Sequence, residues 1–505
     1  MSPLLLLAVI VLFGVLLYRN AVSRPPNFPP GPPRLPIWGS YWLLLLVNYK
    51  YFHLSLLEMA KRYKTKILGF YLGPYPCVVA CDHDSVNELQ RRPEFQARPD
   101  IHLARVRSLG GRYGILFNDG PEWTVLRRFF LRQMRDFGFG RRFNMTEAVM
   151  QDEVRNIVEL FNGDWKDEFV CKGGKVLLSR LFGPYSVDAL WSMFGGERFP
   201  RGKQEPLHMV SQEANNFMLN IQSTGRAVSM TTWLQYLSPR GFGVEDVREI
   251  VLKMMSFIKK SISEHKATFK EDHMRDFIDV YLKKMKYEAD TYPEIFNDNH
   301  LLLTGLDMVL ATATALASTL TFLFHCLLHY PEVQKKIQAE LDQVIGRDRI
   351  ASIDDRQRMP YLEATLRESM RYVTPLPLSV PHLSTEDTYF QGYFIPKYTI
   401  MYPHLAAAHM DPEVFEDPES FRPERFLDEN GRLLKKDLTT PFGAGKRLCV
   451  GETFSRQIMF LFTAGLLQHF TFEPDDPANL PPITAAHPGF SLTPVDIWAR
   501  IIPRS

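Results

Sequence analysis

An apolar stretch from Leu301 to Leu328 limits what this chain of 505 residues can fold into more than any other segment. The stretch is long enough to cross a membrane, but it contains Asp307, His325, several threonines and a serine. Such polar side chains are costly in lipid, whereas the core of a large domain can provide partners for them. The stretch therefore predicts one long buried helix around which the rest of a large domain packs.

The remaining patterns predict a mainly α fold with a minor β portion. Helical spacing of apolar residues extends over residues 152–161, 244–269, 299–328 and 331–345. Strand-like runs bounded by turn residues are short and cover residues 77–80, 389–395 and 400–402. No internal repeat or low-complexity linker divides residues 37–505, so they are predicted to form one domain.

Composition excludes several classes of protein. Hydrophobic residues make up 45% of the chain and charged residues 23%, which predicts a substantial core and argues against disorder. The formal net charge of +2 argues against nucleic acid as a partner, because nucleic-acid-binding proteins usually carry a strong basic excess. The five cysteines are scattered, without zinc-site or C-x-x-C spacing, so no disulfide framework is expected.

The N-terminus is predicted to be a separate element. Its first 18 residues carry no charged side chain, and Arg19 and Arg24 follow them. We interpret residues 1–22 as a membrane anchor, because basic residues after an apolar run hold the following domain in the cytosol. A cleaved signal peptide is the alternative, since Ala21-Val22-Ser23 offers a small-x-small site. The proline-rich residues 23–36 predict a stiff hinge.

A glycine-rich segment, Phe442-Gly443-Ala444-Gly445-Lys446-Arg447-Leu448-Cys449-Val450-Gly451, predicts a loop that directs one thiolate at a metal. The glycines let the backbone approach a cofactor and leave N–H groups free to bond the sulphur. A thiolate donates electron density to a haem iron and favours O–O cleavage. Cys449 is therefore predicted to be the axial ligand of haem b, with Arg447 as a partner for a propionate. A buried free cysteine beside a glycine turn is the alternative.

From about residue 28 to its C-terminus, the chain resembles the cytochrome P450 family of haem-thiolate monooxygenases. The resemblance is to the microsomal type, and the chain as a whole looks similar to insect members. It implies the cytochrome P450 fold, in which the long helix passes over the haem. Glu368 and Arg371 lie three residues apart on one helix face. The resemblance implies that they form a buried ionic network with Arg425 of the segment Pro423-Glu424-Arg425-Phe426.

A second group of residues is implied to bind the haem propionates. Trp123 and Arg127 are four residues apart, so their N–H groups face the same way on a helix. Taken alone, they could be a core tryptophan beside a surface arginine. The resemblance implies that both contact propionates, together with His382 and Arg98.

Basic residues near these positions suggest how an electron donor could bind. They are Arg127, Arg128, Arg132, Lys446 and Arg447, and the resemblance places them on or near the thiolate side of the haem. Those that are exposed could steer an acidic electron-transfer protein, although such charge runs are often just a solvated face.

The chain departs from the family in the helix over the haem. The family carries a small residue, glycine, any residue, an acid and a threonine, and the corresponding segment here is Ala311-Thr312-Ala313-Thr314-Ala315. The acid position is thus Thr314 and the threonine position Ala315. An acid and an alcohol here deliver protons, and alanine has no donor. Thr314 points about 100° away from Ala315 and could take its place only through a register shift such as a π-bulge.

Three functions follow from this departure. The protein could be a monooxygenase that uses ordered water or a substrate hydroxyl, an isomerase or dehydratase acting on a hydroperoxide without O₂ or reductase, or a haem-binding protein with impaired turnover. The hinge, the anchor and the basic residues favour the first function.

The resemblance then implies an enzyme of the endoplasmic reticulum membrane whose catalytic domain faces the cytosol. Its electron donors would be NADPH–cytochrome P450 reductase and cytochrome b5. Its substrate would be an apolar small molecule such as a steroid, terpenoid, fatty acid or xenobiotic.

Overall fold

The computed structural model describes residues 22–141, 143–221, 226–288 and 291–504, together with residues 12, 14, 18 and 19. The anchor predicted for residues 1–22 therefore falls almost wholly outside the described residues.

Helices make up most of the described chain. In chain order they are α1 (Tyr41–Val47), α2 (Phe52–Arg62), α3 (His83–Arg91), α4 (His102–Arg107), α5 (Gly120–Asp136), α6 (Asn144–Asn162), α7 (Leu178–Phe194), α8 (Glu205–Asn220), α9 (Arg226–Met230), α10 (Leu234–Leu237), α11 (Val244–Thr268), α12 (Phe277–Tyr287), α13 (Asp298–Ala311), α14 (Ala317–His329), α15 (Pro331–Val344), α16 (Pro360–Tyr372), α17 (Leu405–His409) and α18 (Glu452–His469). The four helices predicted from apolar spacing are confirmed. Three agree within one residue at each end, and the one predicted over residues 152–161 begins eight residues earlier, at Asn144.

Strands are short and form small sheets. They are β1 (Ile67–Leu72), β2 (Tyr75–Ala80), β3 (Cys171–Lys172), β4 (Lys175–Leu177), β5 (His382–Leu383), β6 (Thr388–Phe390), β7 (Tyr393–Ile395), β8 (Ile400–Pro403), β9 (Phe470–Pro474), β10 (Ala486–His487), β11 (Thr493–Pro494) and β12 (Trp498–Pro503). Two sheets have four strands each, in the orders β1-β2-β8-β5 and β3-β4-β12-β9. The fold is thus mainly α with a minor β portion, as predicted.

The single strand predicted over residues 389–395 is wrong. Gln391 and Gly392 have φ values of 51° and 81°, and they form a two-residue turn between β6 and β7. Two consecutive positive φ angles are typical of the tight turns that connect hairpin strands. The segment is therefore an antiparallel hairpin, in which Phe390 pairs with Tyr393.

One long helix, Asp298–His329, forms the centre of the core, and we call it the core helix. It consists of α13, a π-helical turn at Thr312–Leu316, and α14. It begins where the Asn297 side chain accepts a hydrogen bond from the His300 N–H at 3.1 Å. Among the described residues it is the one helix long and apolar enough to span a membrane, and 89% of its most apolar window is buried inside the protein. The prediction of a buried core helix is confirmed.

A buried ionic network joins α16 to the segment that leads to the glycine-rich loop. The side chains of Glu368 and Arg371 are both 0% exposed, and two Arg371 nitrogens donate to the Glu368 carboxylate at 2.7 and 2.8 Å. Arg425 Nε donates to the same carboxylate at 3.1 Å. Each guanidinium also donates to the Ser420 carbonyl, at 3.2 and 3.0 Å. The network therefore fixes residues 409–425 against α16.

Neutralising Glu368 is expected to destabilise the protein strongly. Glu368→Gln leaves two guanidinium groups buried without a counter-charge, which should lower the free energy of unfolding by about 3–5 kcal/mol. Glu416→Gln is the matched control, because Glu416 is 86% exposed and pairs with the exposed Arg422. Its cost should stay within about 0.5 kcal/mol. Urea denaturation followed by circular dichroism measures both, and equal costs would contradict a structural role for the network.

Candidate functional site

A cavity of about 270 Å³ lies between the core helix and the glycine-rich segment 442–451, which we call the cysteine loop. The cavity wall includes Cys449 from this loop and Ala315 from the core helix. The segment that follows α16 contributes Val380 and His382. Residues far apart in the sequence thus surround one enclosed space.

The cysteine loop is held in a tight conformation. Its ends are joined by the Cys449 N–H, which donates to the Phe442 carbonyl at 2.9 Å. Gly443 and Gly445 have φ values of 72° and 70°, which side chains rarely allow. A Cβ atom at Gly445 would also lie 2.3 Å from the Gln90 carbonyl oxygen. Gly445 is therefore required for α3 to pack against this loop, and Gly443 for the backbone conformation of the loop itself.

The Cys449 side chain is exposed, but it opens into the cavity and protein surrounds it on its other sides. Burial raises the pKa of the Cys449 thiol, and the neighbouring Glu452 carboxylate raises it further. A hydrogen bond from the Gly451 N–H and the charge of Arg127 act in the opposite direction. A metal cation at the sulphur would displace the proton, since coordinating thiols are deprotonated. Without a cation the thiol form is therefore favoured, and the Gly451 N–H and Arg127 are the groups that would stabilise a thiolate.

Cationic side chains gather at one edge of the cavity. The Arg447 guanidinium stacks on the Trp123 ring at 3.5 Å and donates to Asp119 Oδ1 at 3.0 Å. Arg127 donates to the Leu448 carbonyl, and its guanidinium lies 5.5 Å from the centre of the Trp123 ring. Trp123 thus supports two arginines with its ring.

The indole N–H of Trp123 has a protein partner. It donates to the Ile115 carbonyl at 2.9 Å. In this arrangement Trp123 contributes to the site through the two guanidinium groups that it contacts.

Arg98 and His382 complete the cationic edge. Arg98 donates to the Val380 and Pro381 carbonyls at 2.8 and 2.9 Å, and its Nε is buried without a partner among the described residues. Burial, followed by repulsion from Arg447 and Arg127, holds the pKa of Arg98 well below its usual value.

The charge of this edge is incompletely balanced. Burial lowers the pKa of Arg447 to about 10, although its contact with Asp119 acts in the opposite direction. Burial and then Arg98 hold the pKa of His382 well below its usual value, and His382 Nδ1 lies 2.6 Å from the Phe95 carbonyl oxygen. An anion bound at this edge would reduce the repulsion among the arginines and would give the unpartnered Arg98 Nε an acceptor. The edge therefore fits the carboxylates of haem, and Cys449 fits its iron.

At positions 314 and 315 the core helix presents no side chain that can donate a proton into the cavity. Ala315 lines the cavity and has no polar atom. The π turn that would be needed for a register shift is present, but Thr314 is buried and its hydroxyl donates to the Leu310 carbonyl at 2.7 Å. Thr314 is not among the residues that line the cavity.

A buried ion pair was not predicted from the sequence. Arg107 of α4 donates to Asp307 of the core helix, and both side chains are 1% exposed. The other Asp307 oxygen accepts the N–H groups of Ile115 and Leu116 at 2.7 and 3.0 Å. Burial lowers the pKa of Arg107 to about 9. The pair fixes the loop before α5 onto the core helix, so that this loop becomes part of the cavity wall.

Two features of the sequence point to Asp307, the acid of this pair, and to Asp119, the acid at the cationic edge. Asp307 is the one acid within the long apolar stretch 301–328. Asp119 directly precedes α5, and its side chain does not cap that helix. Neither position reveals its arginine partner without the tertiary structure.

Comparison with known proteins gives matches over nearly the whole chain. The sequence pattern of the Cytochrome P450 family matches residues 29–498. The chain is 33% identical over 485 residues to cytochrome P450 2B19 of Mus musculus, covering 95% of each protein. It is 33% identical over 505 residues to cytochrome P450 2B4 of Oryctolagus cuniculus, covering 100% of this chain and 99% of the relative. With cytochrome P450 2G1 of the same species, identity is 32% over 493 residues, covering 97% and 96%.

Replacing Cys449 tests its assignment as the metal ligand. Cys449→His should abolish the red-shifted absorbance of a thiolate-ligated ferrous–CO complex, because an imidazole donates less electron density to iron. Cys171→Ser is the control, since Cys171 lies on β3 and does not line the cavity. An unchanged band in Cys449→His would exclude Cys449 as the ligand.

Replacing Arg98 tests the cationic edge. Arg98→Met should increase the rate of haem loss by about ten- to a hundred-fold, because a charged hydrogen bond contributes about 1.5–3 kcal/mol. Haem transfer to apomyoglobin measures this rate. Arg105→Met is the control, since Arg105 pairs with Asp100 at an exposed position. Equal rates for the two variants would show that Arg98 does not hold the cofactor.

Proposed function

The chain belongs to the cytochrome P450 family, and from that premise we propose that residues 37–505 form its catalytic domain, with Cys449 as the axial ligand of haem b. The protein is a monooxygenase that inserts one oxygen atom of O₂ into an apolar small molecule. The observation that supports the site assignment best is that the Cys449 thiol opens into the same cavity as a cationic edge whose charge Asp119 balances only in part.

Different residues of the cavity bind different parts of the cofactor. When bound, the haem supplies the iron at which O₂ is activated. Cys449 provides the thiolate, and the Gly451 N–H orients and stabilises it. Arg98, Arg127 and Arg447 hold the carboxylates, with His382 beside them. Trp123 keeps two of the arginines in place through ring contacts.

Proton supply differs from the usual family arrangement. We infer that Thr314 and Ala315, which occupy the oxygen-activation positions, do not donate protons. Ala315 has no donor, and the Thr314 hydroxyl is engaged with the helix backbone. Ordered water or a hydroxyl of the substrate then supplies the protons.

An electron donor is required by this chemistry, and we propose NADPH–cytochrome P450 reductase, with cytochrome b5 as a second donor. Arg128, Arg132 and Arg135 are exposed on α5, and Lys446 is exposed on the cysteine loop. None of the four has an ion-pair partner among the described residues. The hydrogen bond from Arg127 to Leu448 joins α5 to the cysteine loop, so these charges form one basic face near Cys449. An acidic protein surface fits this face.

We further propose that the protein is attached to the endoplasmic reticulum membrane by residues 1–22, with the catalytic domain in the cytosol. Large apolar side chains on the described surface support membrane contact, namely Trp42, Leu46 and Tyr49 near α1 and Trp233, Tyr236 and Leu237 near α10. Trp38 Nε1 donates to Thr231 Oγ1 at 3.2 Å and so joins the two regions. Exposed aromatic residues are typical of membrane interfaces.

The rate at which NADPH–cytochrome P450 reductase reduces the haem iron of this protein tests the function and the basic face together. CO is added to trap the ferrous form. Reduction should require both NADPH and the reductase, and it should slow as ionic strength rises. Arg132→Glu should slow it by about ten-fold, because surface charge steers association. Lys260→Glu, an equal charge change at an exposed position of α11, is the control. Consumption of a hydroperoxide by a protein that the reductase cannot reduce would contradict the proposal.

A further inference from the structure

The cavity wall contains one buried threonine whose hydroxyl is not bonded within the described chain. Thr312, on the π turn, is 7% exposed and lines the cavity, and its hydroxyl has no hydrogen-bond partner among the described residues. Two other threonines of the wall are satisfied internally. Thr319 donates to the Ala315 carbonyl at 2.7 Å, and the Thr374 hydroxyl lies 2.8 Å from His409 Nδ1. Thr312 therefore offers its hydroxyl to whatever occupies the cavity.

A second hydroxyl of the wall belongs to Ser379, in the segment after α16. Ser379 has a φ of 56°, a left-handed conformation that non-glycine residues rarely adopt. Its N–H donates to the Leu376 carbonyl at 3.1 Å, which holds the turn, whereas its hydroxyl has no partner in the described part of the chain. Backbone strain of this kind is often retained where it orients a functional group.

The same wall offers no free charge to a ligand. Asp307 reaches the cavity, but Arg107 and two backbone N–H groups occupy its carboxylate. The cationic edge is taken up by the carboxylates of the cofactor. The rest of the wall near Thr312 is apolar and includes Met308 and Leu316. A charged ligand would lose its hydration without a partner, and a pure hydrocarbon would leave the hydroxyls unsatisfied.

We propose that Thr312 and Ser379 are specificity-determining residues that bind a neutral hydrogen-bonding group of the substrate. The substrate is then an apolar molecule that carries at least one hydroxyl or carbonyl. A threonine or serine hydroxyl can donate to a carbonyl and can accept from a hydroxyl, so both groups share this recognition chemistry. The inference rests on the proposed function and narrows its substrate class.

Two probe molecules with the same carbon skeleton distinguish hydrogen bonding by these hydroxyls from van der Waals packing against the ligand. Phenylcyclohexane and 4-phenylcyclohexanol differ in one hydroxyl, and equilibrium dialysis with the haem-loaded full-length protein gives the affinity of each. Thr312→Val keeps the branched shape and removes the hydroxyl. It should weaken binding of the alcohol by about five-fold, the effect of one hydrogen bond, and leave binding of the hydrocarbon unchanged. Ser379→Ala should act in the same direction, and Thr312→Ser should preserve the preference.

Two further variants serve as controls. Thr319→Val removes a hydroxyl that lines the cavity but already has a partner, and Thr314→Val removes one that does not line it. Neither should change the ratio of the two affinities. 4-Phenylcyclohexanecarboxylate, a charged probe with the same skeleton, should bind more weakly than the alcohol in the wild type.

An unchanged ratio in both Thr312→Val and Ser379→Ala would overturn the proposal, and it would indicate that water satisfies these hydroxyls. An equal change for both probes would also overturn it, because that result reports packing alone. If Thr312→Val does not retain haem, the ratio of the affinities for the alcohol and the hydrocarbon is measured with Ser379→Ala alone. The ferrous–CO spectrum of the wild type is recorded separately, and absence of its thiolate-type band would contradict the proposed function instead.

Discussion

The carboxylate of Glu368 is the contact on which the geometry of the site depends. It binds Arg371 on its own helix and Arg425 from a distant segment, and it also accepts the Arg422 N–H at 2.7 Å. Buried charges of this kind are stable only while every partner is present. The segment held in this way leads through residues 426–441 to the cysteine loop. A charge network away from the cavity therefore anchors the chain that carries Cys449.

The cavity is electrostatically asymmetric. Three arginines share one edge with a single nearby carboxylate, that of Asp119, and burial increases the cost of each unbalanced charge. Away from that edge, the remaining charges are paired, as Asp307 and Arg107 show. We propose that this asymmetry orients an amphipathic cofactor, because the carboxylates of such a cofactor have one favourable position and its apolar face has another. The same asymmetry leaves a mostly neutral space for the substrate.

The core helix shows how a departure from a family pattern can be understood from local structure. Threonine is present at positions 312 and 314, but the two side chains lie in different surroundings. The Thr314 hydroxyl bonds the backbone of the preceding turn, a common arrangement for threonine in helices. Thr312 lines the cavity, and its hydroxyl has no hydrogen-bond partner among the described residues. The polar group of this helix is thus displaced by one turn from the position of Ala315.

Features that depend on neighbouring residues could be predicted from the sequence. The core helix, the three other predicted helices, the glycines of the cysteine loop and the spacing of Glu368 and Arg371 all follow from periodicity or local backbone demands. The hairpin at β6 and β7 was missed, because its turn residues Gln391 and Gly392 interrupt an otherwise strand-like run. Contacts between distant segments were decided by the tertiary structure. Arg107 and Asp307 are 200 residues apart, and only packing brings them together. Likewise, the sequence identified Trp123 and Arg98 as candidate haem contacts but did not single out Thr312. Whether each polar atom of these residues has a protein partner or faces the cavity depends on distant segments of the chain.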